Sequence, residues 1–427
     1  MNLTEEPTPP QPRVVIIGGG FGGLAAAKAL DKAPVKVTLL DRTNHHLFQP
    51  LLYQVATAAL SPANIAQPVR SILHHAKNTE TIMADVTDID VREKVVTAGG
   101  QKFPFDYLIV ATGARHSYFG HPEWEASAPG LKTLDDALNI RRRLLMAVEL
   151  AEATTDAAER EKLLTFVVVG AGPTGVEMAG AISEIARETM VRDFRHIDPR
   201  EAKVILLDAA DRVLPVFDPT LSGKALAQLR DLGVEVKLGV AVQGLDENGV
   251  TIPGGFIPSR TVIWAAGNAA SPLVKQLPGE FDRSGRVIVQ PELNLKEQAN
   301  IYVIGDTAHC LGKDGKPLPG VSPVAMQQGK LAAANILAQI AGQPLKPFKY
   351  WDRGSMATIG RHRAVADLHF VKFSGWVAWM AWVFVHLIFL IGLRSRVSVF
   401  LIWVWSYFTR YQGARLITGQ KGGDANS

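Results

Sequence analysis

RVVIIGGGFGGLAAAKAL, residues 13–30, decides the fold. An apolar strand, Val14–Ile17, runs into Gly18-x-Gly20-x-x-Gly23 and then into an alanine-rich helix. The three glycines do different things. The first makes the tight turn, the second lets backbone approach a pyrophosphate, and the third lets helix and strand pack closely. The helix N-terminus adds free N–H groups and a positive dipole end. A second strand, VKVTLLD, ends at Asp41, 18 residues past Gly23, the spacing expected of an acid that holds a ribose hydroxyl. The pattern returns in TFVVVGAGPTGVEMAGAI, where Gly170-x-Gly172-x-x-Gly175 follows the strand Phe166–Val169 and KVILLD ends at Asp208. Here the gap is 33 residues, filled by a lengthened helix and a loop. A lone glycine motif is weak evidence. Two of them, each with strand, helix and acid in order, predict two dinucleotide sites.

Apolar residues make up 47% of the 427, and 38 are glycine, which suits an α/β chain of two to three domains and excludes a disordered one. Cys310 is the one cysteine, so a disulfide framework, a CxxC redox pair and a cysteine-based zinc or iron–sulfur site are excluded. No metal site is expected. The histidine pairs His45-His46 and His74-His75 are adjacent, and adjacent side chains point apart. Asp208 favours NADH over NADPH, because a carboxylate repels a 2′-phosphate, with Arg212 close by as the opposing influence. The segment MNLTEEPTPPQP lacks the basic and apolar parts of a secretory signal and reads as a disordered lead, residues 1–12.

The end of the chain differs. From Leu345 onward eleven basic residues face three acids, a balance of +8, which leaves −4 on the rest of a chain whose net charge is +4. Within it lies WVAWMAWVFVHLIFLIGLRSRVSVFLIWVWSYFTR, Trp376–Arg410. Trp376–Leu393 is 18 residues, about 27 Å as a helix and just short of a hydrocarbon core of roughly 30 Å. Arg394-Ser395-Arg396 then interrupts, and Val397–Phe408 supplies 12 more. Basic residues flank both runs without a sidedness bias. Two helices lying in one leaflet fit better than a span, with tryptophans at headgroup depth and arginines on anionic lipid. A buried helix pair or a dimer interface is the alternative. The tryptophans favour lipid over nucleic acid as the partner of the basic charge.

With these motifs the sequence resembles the two-dinucleotide-binding-domain flavoproteins, and closely the type II NADH:quinone oxidoreductases, from Arg13 to about Gly419. HHLFQPLLYQVATAALSP, YLIVATGA, VIWAAGNAASPL, NIYVIGDTA, VSPVAMQQGKLAAANI and YWDRGSMATIGRHRAV carry the resemblance further. It implies two Rossmann-like domains, the NADH domain inserted in the FAD domain, and a C-terminal helical membrane anchor. The corresponding limits are 13–125 and 276–345 for FAD, 126–275 for NADH and 346–427 for the C-terminal region, with membrane helices at 376–410. On the FAD side it implies Gly18, Gly20, Gly22, Gly23, Asp41, Arg42, Gln54, Thr112, Gly113, Gly305, Asp306 and Val324. On the NADH side it implies Gly170, Gly172, Gly175, Asp208, Ala266 and Gly267. Disulfide and sulfide:quinone reductases carry redox cysteines that this chain lacks, so the electrons are expected to leave for a membrane quinone without proton pumping. Another acceptor, or a flavin-bearing NADH sensor, is the alternative. The resemblance also implies a homodimer at the cytoplasmic face of a cell inner membrane.

Glu177, in the first turn after Gly175, matches the family's glutamate beside the nicotinamide and is expected to be catalytic; a carboxylate is also favoured there by the helix dipole alone. Gln327 matches the second glutamine of the family's quinone segment, while Pro323 replaces the first and offers no amide. As a common helix former, Gln327 suits a surface or capping role equally well. Cys310 reads as a buried small apolar residue. His386, midway along the apolar tail, is either a quinone contact or a hydrogen bond to a neighbouring helix.

Overall fold

The computed structural model describes residues 11–410 and 412–418. Most of the expected disordered lead, residues 1–10, lies outside the described residues. The chain runs through β1 (Arg13–Ile17), α1 (Phe21–Ala29), β2 (Lys36–Asp41), α2 (Leu52–Ala56), β3 (Thr79–Met83) and β4 (Tyr107–Val110). It continues through α3 (Leu134–Ala153), β5 (Thr165–Val169), α4 (Pro173–Glu184), β6 (Lys203–Asp208), α5 (Pro219–Asp231), β7 (Val234–Leu238) and β8 (Thr261–Trp264). Towards its end come β9 (Ile301–Val303), α6 (Ser322–Ile340), β10 (Ser355–Gly360), β11 (Arg363–Asp367), β12 (Lys372–Ser374), α7 (Trp376–Phe389) and α8 (Leu393–Thr409).

These elements form two compact units. The first gathers the chain through His46, Gln67–Arg115 and Asn268–Asp352; the second gathers Leu47–Ala66, His116–Gly267 and everything from Arg353 on. The expected limits at 125/126 and 275/276 therefore move to 115/116 and 267/268. The reason is packing. Tyr118 and Trp124 bury themselves beside Trp264 in the second unit's core, while Ala270 and Val274 join the core of the first. Residues 47–66 and the C-terminal region likewise belong to the second unit instead of to the FAD domain and a separate anchor.

The first unit is built on a parallel sheet in the order β9-β4-β1-β2-β3. Its central strands are apolar on both faces, as a parallel sheet covered on both sides requires. Helices α1 and α6 approach to backbone contact, since a Cβ on Gly329 would strike the Gly22 carbonyl. The second unit repeats the plan with the parallel order β7-β6-β5-β8. An antiparallel sheet, β10-β11-β12, adds to it, and α7 packs Ala378 against Ala364 and Ala366 of β11.

The apolar tail breaks differently from its sequence pattern. Helix α7 stops at Phe389 and α8 begins at Leu393, so Arg394 and Arg396 lie inside the second helix and not between two helices. Gly392, with φ 83°, supplies the left-handed turn that the leucines and isoleucine around it would resist. At 14 and 17 residues the helices reach about 21 and 25 Å. Among the described residues no helix is long and apolar enough to cross a membrane.

Candidate functional site

In the first unit the glycine loop is shaped as its sequence requires. Gly18 has φ 101°, and a Cβ there would enter the Ala111 carbonyl; one on Gly23 would enter the Gly18 carbonyl. Gly20 is the N-cap of α1, with no side-chain cap, and nothing lies within 4 Å of where its Cβ would be. The first N–H groups of α1 thus face an open cradle, the arrangement a pyrophosphate needs. Asp41 also holds the loop: one oxygen accepts the Gly19 N–H at 2.5 Å, the other the Thr43 N–H and hydroxyl at 2.6 and 2.7 Å.

Thr112 Oγ1, just past the end of β4, is buried with no partner among the described residues, a polar atom left for a ligand. Gly305 donates its N–H to Gln328 Oε1 at 2.7 Å, which fixes the turn carrying Asp306; Val324 is buried on α6. These residues fit FAD. Two further groups stand out in this unit. One is Gln328, which is 1% exposed. The other is His46, whose Nδ1 donates to the Gly19 carbonyl at 3.0 Å while Nε2 is buried without a partner. His46 was readable only as half of an adjacent pair. Arg42 is exposed.

The second unit repeats the loop. Gly170 has φ 107°, a Cβ on Gly175 would enter the Gly170 carbonyl, and Gly172 caps α4 with open space around it. Asp208 accepts the Ala171 N–H on one oxygen and the Ala210 N–H at 2.7 Å on the other. The Arg212 guanidinium is turned to the Pro215 carbonyl at 2.7 Å. Of the crossing residues, Ala266 lies beside Gly170, while Gly267 lies against Ser117 and Phe119.

Helix α4 carries the NADH fingerprint into a pocket of about 100 Å³ within the same unit. Glu177 and Glu184 line it from α4, Tyr53 and Gln54 from α2, Arg361 from the β10–β11 turn, and Trp379, Trp382, Trp403 and Tyr407 from the apolar tail. The carboxyls keep partial accessible area, but the space they face is this pocket. Desolvation pushes Glu177 up to about 8 against the N–H of Thr358, and Glu184 up to about 7 against Arg361. Glu184 accepts the Arg361 N–H at 2.5 Å. Burial and the nearby Glu177 carboxyl hold the Tyr53 phenol well above its usual range.

Gln54, expected on the FAD side, stands in this pocket: it donates to Tyr53 Oη at 2.8 Å and accepts from Trp403 Nε1 at 2.7 Å. Trp382 is 2% exposed and its Nε1 has no partner among the described residues. His386 turns Nδ1 to its own helix, donating to the Trp382 carbonyl one turn back at 2.7 Å, with its ring stacked on that indole, and burial depresses it to about 4.

Gln327 is engaged elsewhere. Its amide clasps the Trp351 backbone, donating at 3.1 Å and accepting at 3.0 Å, so the side chain anchors the strand leaving α6. The helix itself begins at Ser322, where Pro323 presets the first turn. Cys310 is buried, as expected. No cluster of three or more metal-ligating side chains occurs among the described residues.

A family model described as pyridine nucleotide-disulphide oxidoreductase matches residues 12–329, and one described as NDH2 C-terminal domain matches residues 352–410. The type II NADH:quinone oxidoreductase NdhA of Mycobacterium tuberculosis is 47% identical over 96% of this chain and 90% of its own length. The same organism's Ndh, also a type II NADH:quinone oxidoreductase, is 45% identical over 99% and 94%. The structure of NDH2 from Plasmodium falciparum in complex with NADH superposes with a TM-score of 0.87 at 20% identity, covering 96% of this chain and all of that one. Double fingerprint, fold and full-length similarity agree: the chain belongs to the type II NADH:quinone oxidoreductases, a branch of the pyridine nucleotide-disulphide oxidoreductases.

Proposed function

We propose which residues carry the reaction of this family, in which NADH is oxidised and a membrane quinone is reduced through FAD, without proton pumping. FAD supplies the relay of two electrons between the two substrates. Gly18, Gly20, Gly22, Gly23, Asp41, Thr112, Gly113, Gly305, Asp306 and Val324 hold it. The free N–H groups of α1 take its pyrophosphate, and Thr112 Oγ1 offers it a buried hydroxyl. The α4 N-terminus behind Gly170, Gly172 and Gly175 takes the NADH pyrophosphate, and Asp208 takes a ribose hydroxyl and disfavours a 2′-phosphate.

One observation carries the reading: the helix that starts at the NADH loop and the aromatic residues of the apolar tail line a single pocket. An aqueous dinucleotide site and an oil-soluble acceptor thereby share a wall. The quinone head enters against Trp379, Trp382 and Trp403, with Trp382 Nε1 as donor to a carbonyl oxygen. Glu177, protonated near neutral pH, holds the proton that the quinone takes up. The exposed apolar side chains of α7 and α8 rest on an anionic lipid surface at the cytoplasmic face of a bacterial inner membrane.

Replacing Glu177 by Gln keeps the shape and removes the ionisable proton. NADH oxidation with a short-chain quinone is expected to fall on the order of 100-fold, with FAD still bound. A variant within twofold of wild type removes Glu177 from the reaction.

A further inference from the structure

Reduction of the quinone sets a proton account. NADH brings two electrons and one hydrogen, whereas quinol formation needs two protons, so each turnover takes one proton from water: NADH + H⁺ + quinone → NAD⁺ + quinol. Glu177 can give its proton once per turnover, and only part of its surface is accessible. Something must reload it.

Positions 177, 184 and 188 are spaced by seven and four residues, so three glutamates form one stripe along a single helix face. The stripe passes from α4 into the wider turn Ile185–Thr189 that follows it. Its outer member, Glu188, keeps 30% of its side chain exposed, 3.9 Å from the Arg361 guanidinium and 3.8 Å from that of Arg410. Its middle member, Glu184, faces the pocket and is held by the Arg361 N–H. Its inner member is Glu177.

Gly180 makes this placement possible. A Cβ there would enter the Ile359 carbonyl, so the helix backbone lies directly on β10 and the two carboxyls flank that contact. The buried, unpartnered Trp382 Nε1 lining the same cavity is an independent sign that a polar molecule belongs inside. Glu177 and Glu184 are about 10 Å apart along the helix axis, too far for direct transfer. Between turnovers, with the quinone head out, a cavity of about 100 Å³ has room for roughly three waters to bridge them.

We propose that Glu188, Glu184 and Glu177 form a proton-entry route along one face of α4, with Glu184 as the relay that reloads Glu177 from the aqueous surface. This rests on the assignment of Glu177 made above. The charged and titratable groups around Glu184 are Arg361 and Arg363 of the β10–β11 turn, Glu188 on its own helix, Tyr53 of α2, and Tyr407 of the tail, with Arg410 reaching Glu188. The Arg361 and Arg410 guanidiniums both lie beside Glu188 at the outer end, while desolvation raises the proton affinity of the inner pair.

The test uses the full chain with FAD bound and a short-chain quinone. In Glu184→Gln, quinone-dependent turnover is expected to fall on the order of 10-fold relative to the NADH-to-FAD step measured by stopped flow. Glu184→Asp and added imidazole are expected to restore most of it, since each returns a titratable carrier that a merely structural defect would not heed. Independently of turnover, the infrared band of protonated carboxyls, titrated between about pH 6 and pH 9, is expected to lose one component. Glu188→Gln is expected to give a smaller loss. Wild-type turnover and pH profile in Glu184→Gln, or a loss that neither Asp nor imidazole repairs, overturns the relay. If Glu177→Gln is slow in the same experiment, the assignment of Glu177 survives that failure; if it is not, that assignment falls first.

Discussion

A carboxyl group is harder to ionise where water solvates it poorly, and Glu177 and Glu184, each only partly accessible, both face a pocket that desolvates them. Their folded values, about 8 and about 7, lie above the roughly 4.3 of an unfolded glutamate. The folded state therefore binds more protons than the unfolded one between these limits. The stability tied to the protonated pair is complete below about pH 4 and is lost as pH rises through 7 to 8. Melting temperature is expected to fall by a few degrees between about pH 6 and pH 9 in wild type, and to stay flatter in the Glu177→Gln/Glu184→Gln double variant. Equal slopes by circular dichroism would mean that the pair titrates as solvated carboxyls do. Glu177 was singled out in the sequence through its match to the family's glutamate. Glu184 was not. Its local sequence is that of any exposed helical glutamate, and its burial comes from Arg361 and Tyr407, far along the chain.

Two glycines in helices separate close packing from mere tolerance. Gly180 of α4 lies on the Ile359 carbonyl, whereas Gly223 of α5 has nothing within 4 Å of its Cβ position. By propensity alone, alanine at either site gains about 0.5–1 kcal/mol. Gly223→Ala is expected to show that gain in urea unfolding. Gly180→Ala is expected to lose about 1–3 kcal/mol, because helix and strand must separate to admit the methyl group. Stabilisation by both would show that α4 does not depend on contact with β10. The fingerprint elements were legible for the converse reason: β1–α1–β2 and β5–α4–β6 are local units whose glycines answer to each other across a few residues. The break at Gly392 was missed because Arg394 and Arg396 were read as an interruption, while the start of α6 at Ser322 is set by Pro323. A proline in the first turn favours a helix. Long arginine side chains can leave an apolar face without ending the helix; Arg396 does so, reaching the Leu390 carbonyl at 2.7 Å.

At the scale of the whole molecule the sequence placed a lipid-facing tail on a two-domain enzyme, and what it could not show was which side chains the tail keeps for itself. Trp382, Ala378 and Val399 are buried within the second unit, while Trp376, Met380, Phe384 and Ile388 of α7 project outward at four-residue intervals. On α8 Leu393, Val397, Leu401, Trp405 and Phe408 do the same. An outward apolar stripe on each helix, neither long enough to span a bilayer, is what the proposed contact with one leaflet requires. Phe384 and Leu401 are 66% and 58% exposed, so glutamate at both should leave folding intact. Losing two apolar side chains from the interface removes about 1.5–3 kcal/mol each, before any repulsion from anionic lipid. Partition of Phe384→Glu/Leu401→Glu onto vesicles containing anionic phospholipid is therefore expected to drop at least on the order of 100-fold in flotation. Oxidation of NADH by a water-soluble quinone should continue, while a long-tailed quinone held in the vesicles is no longer reduced. If the stripe instead covers a second copy of the chain, the same variant will shift a dimer to monomer in sedimentation and float with vesicles as wild type does, and the lipid assignment is wrong.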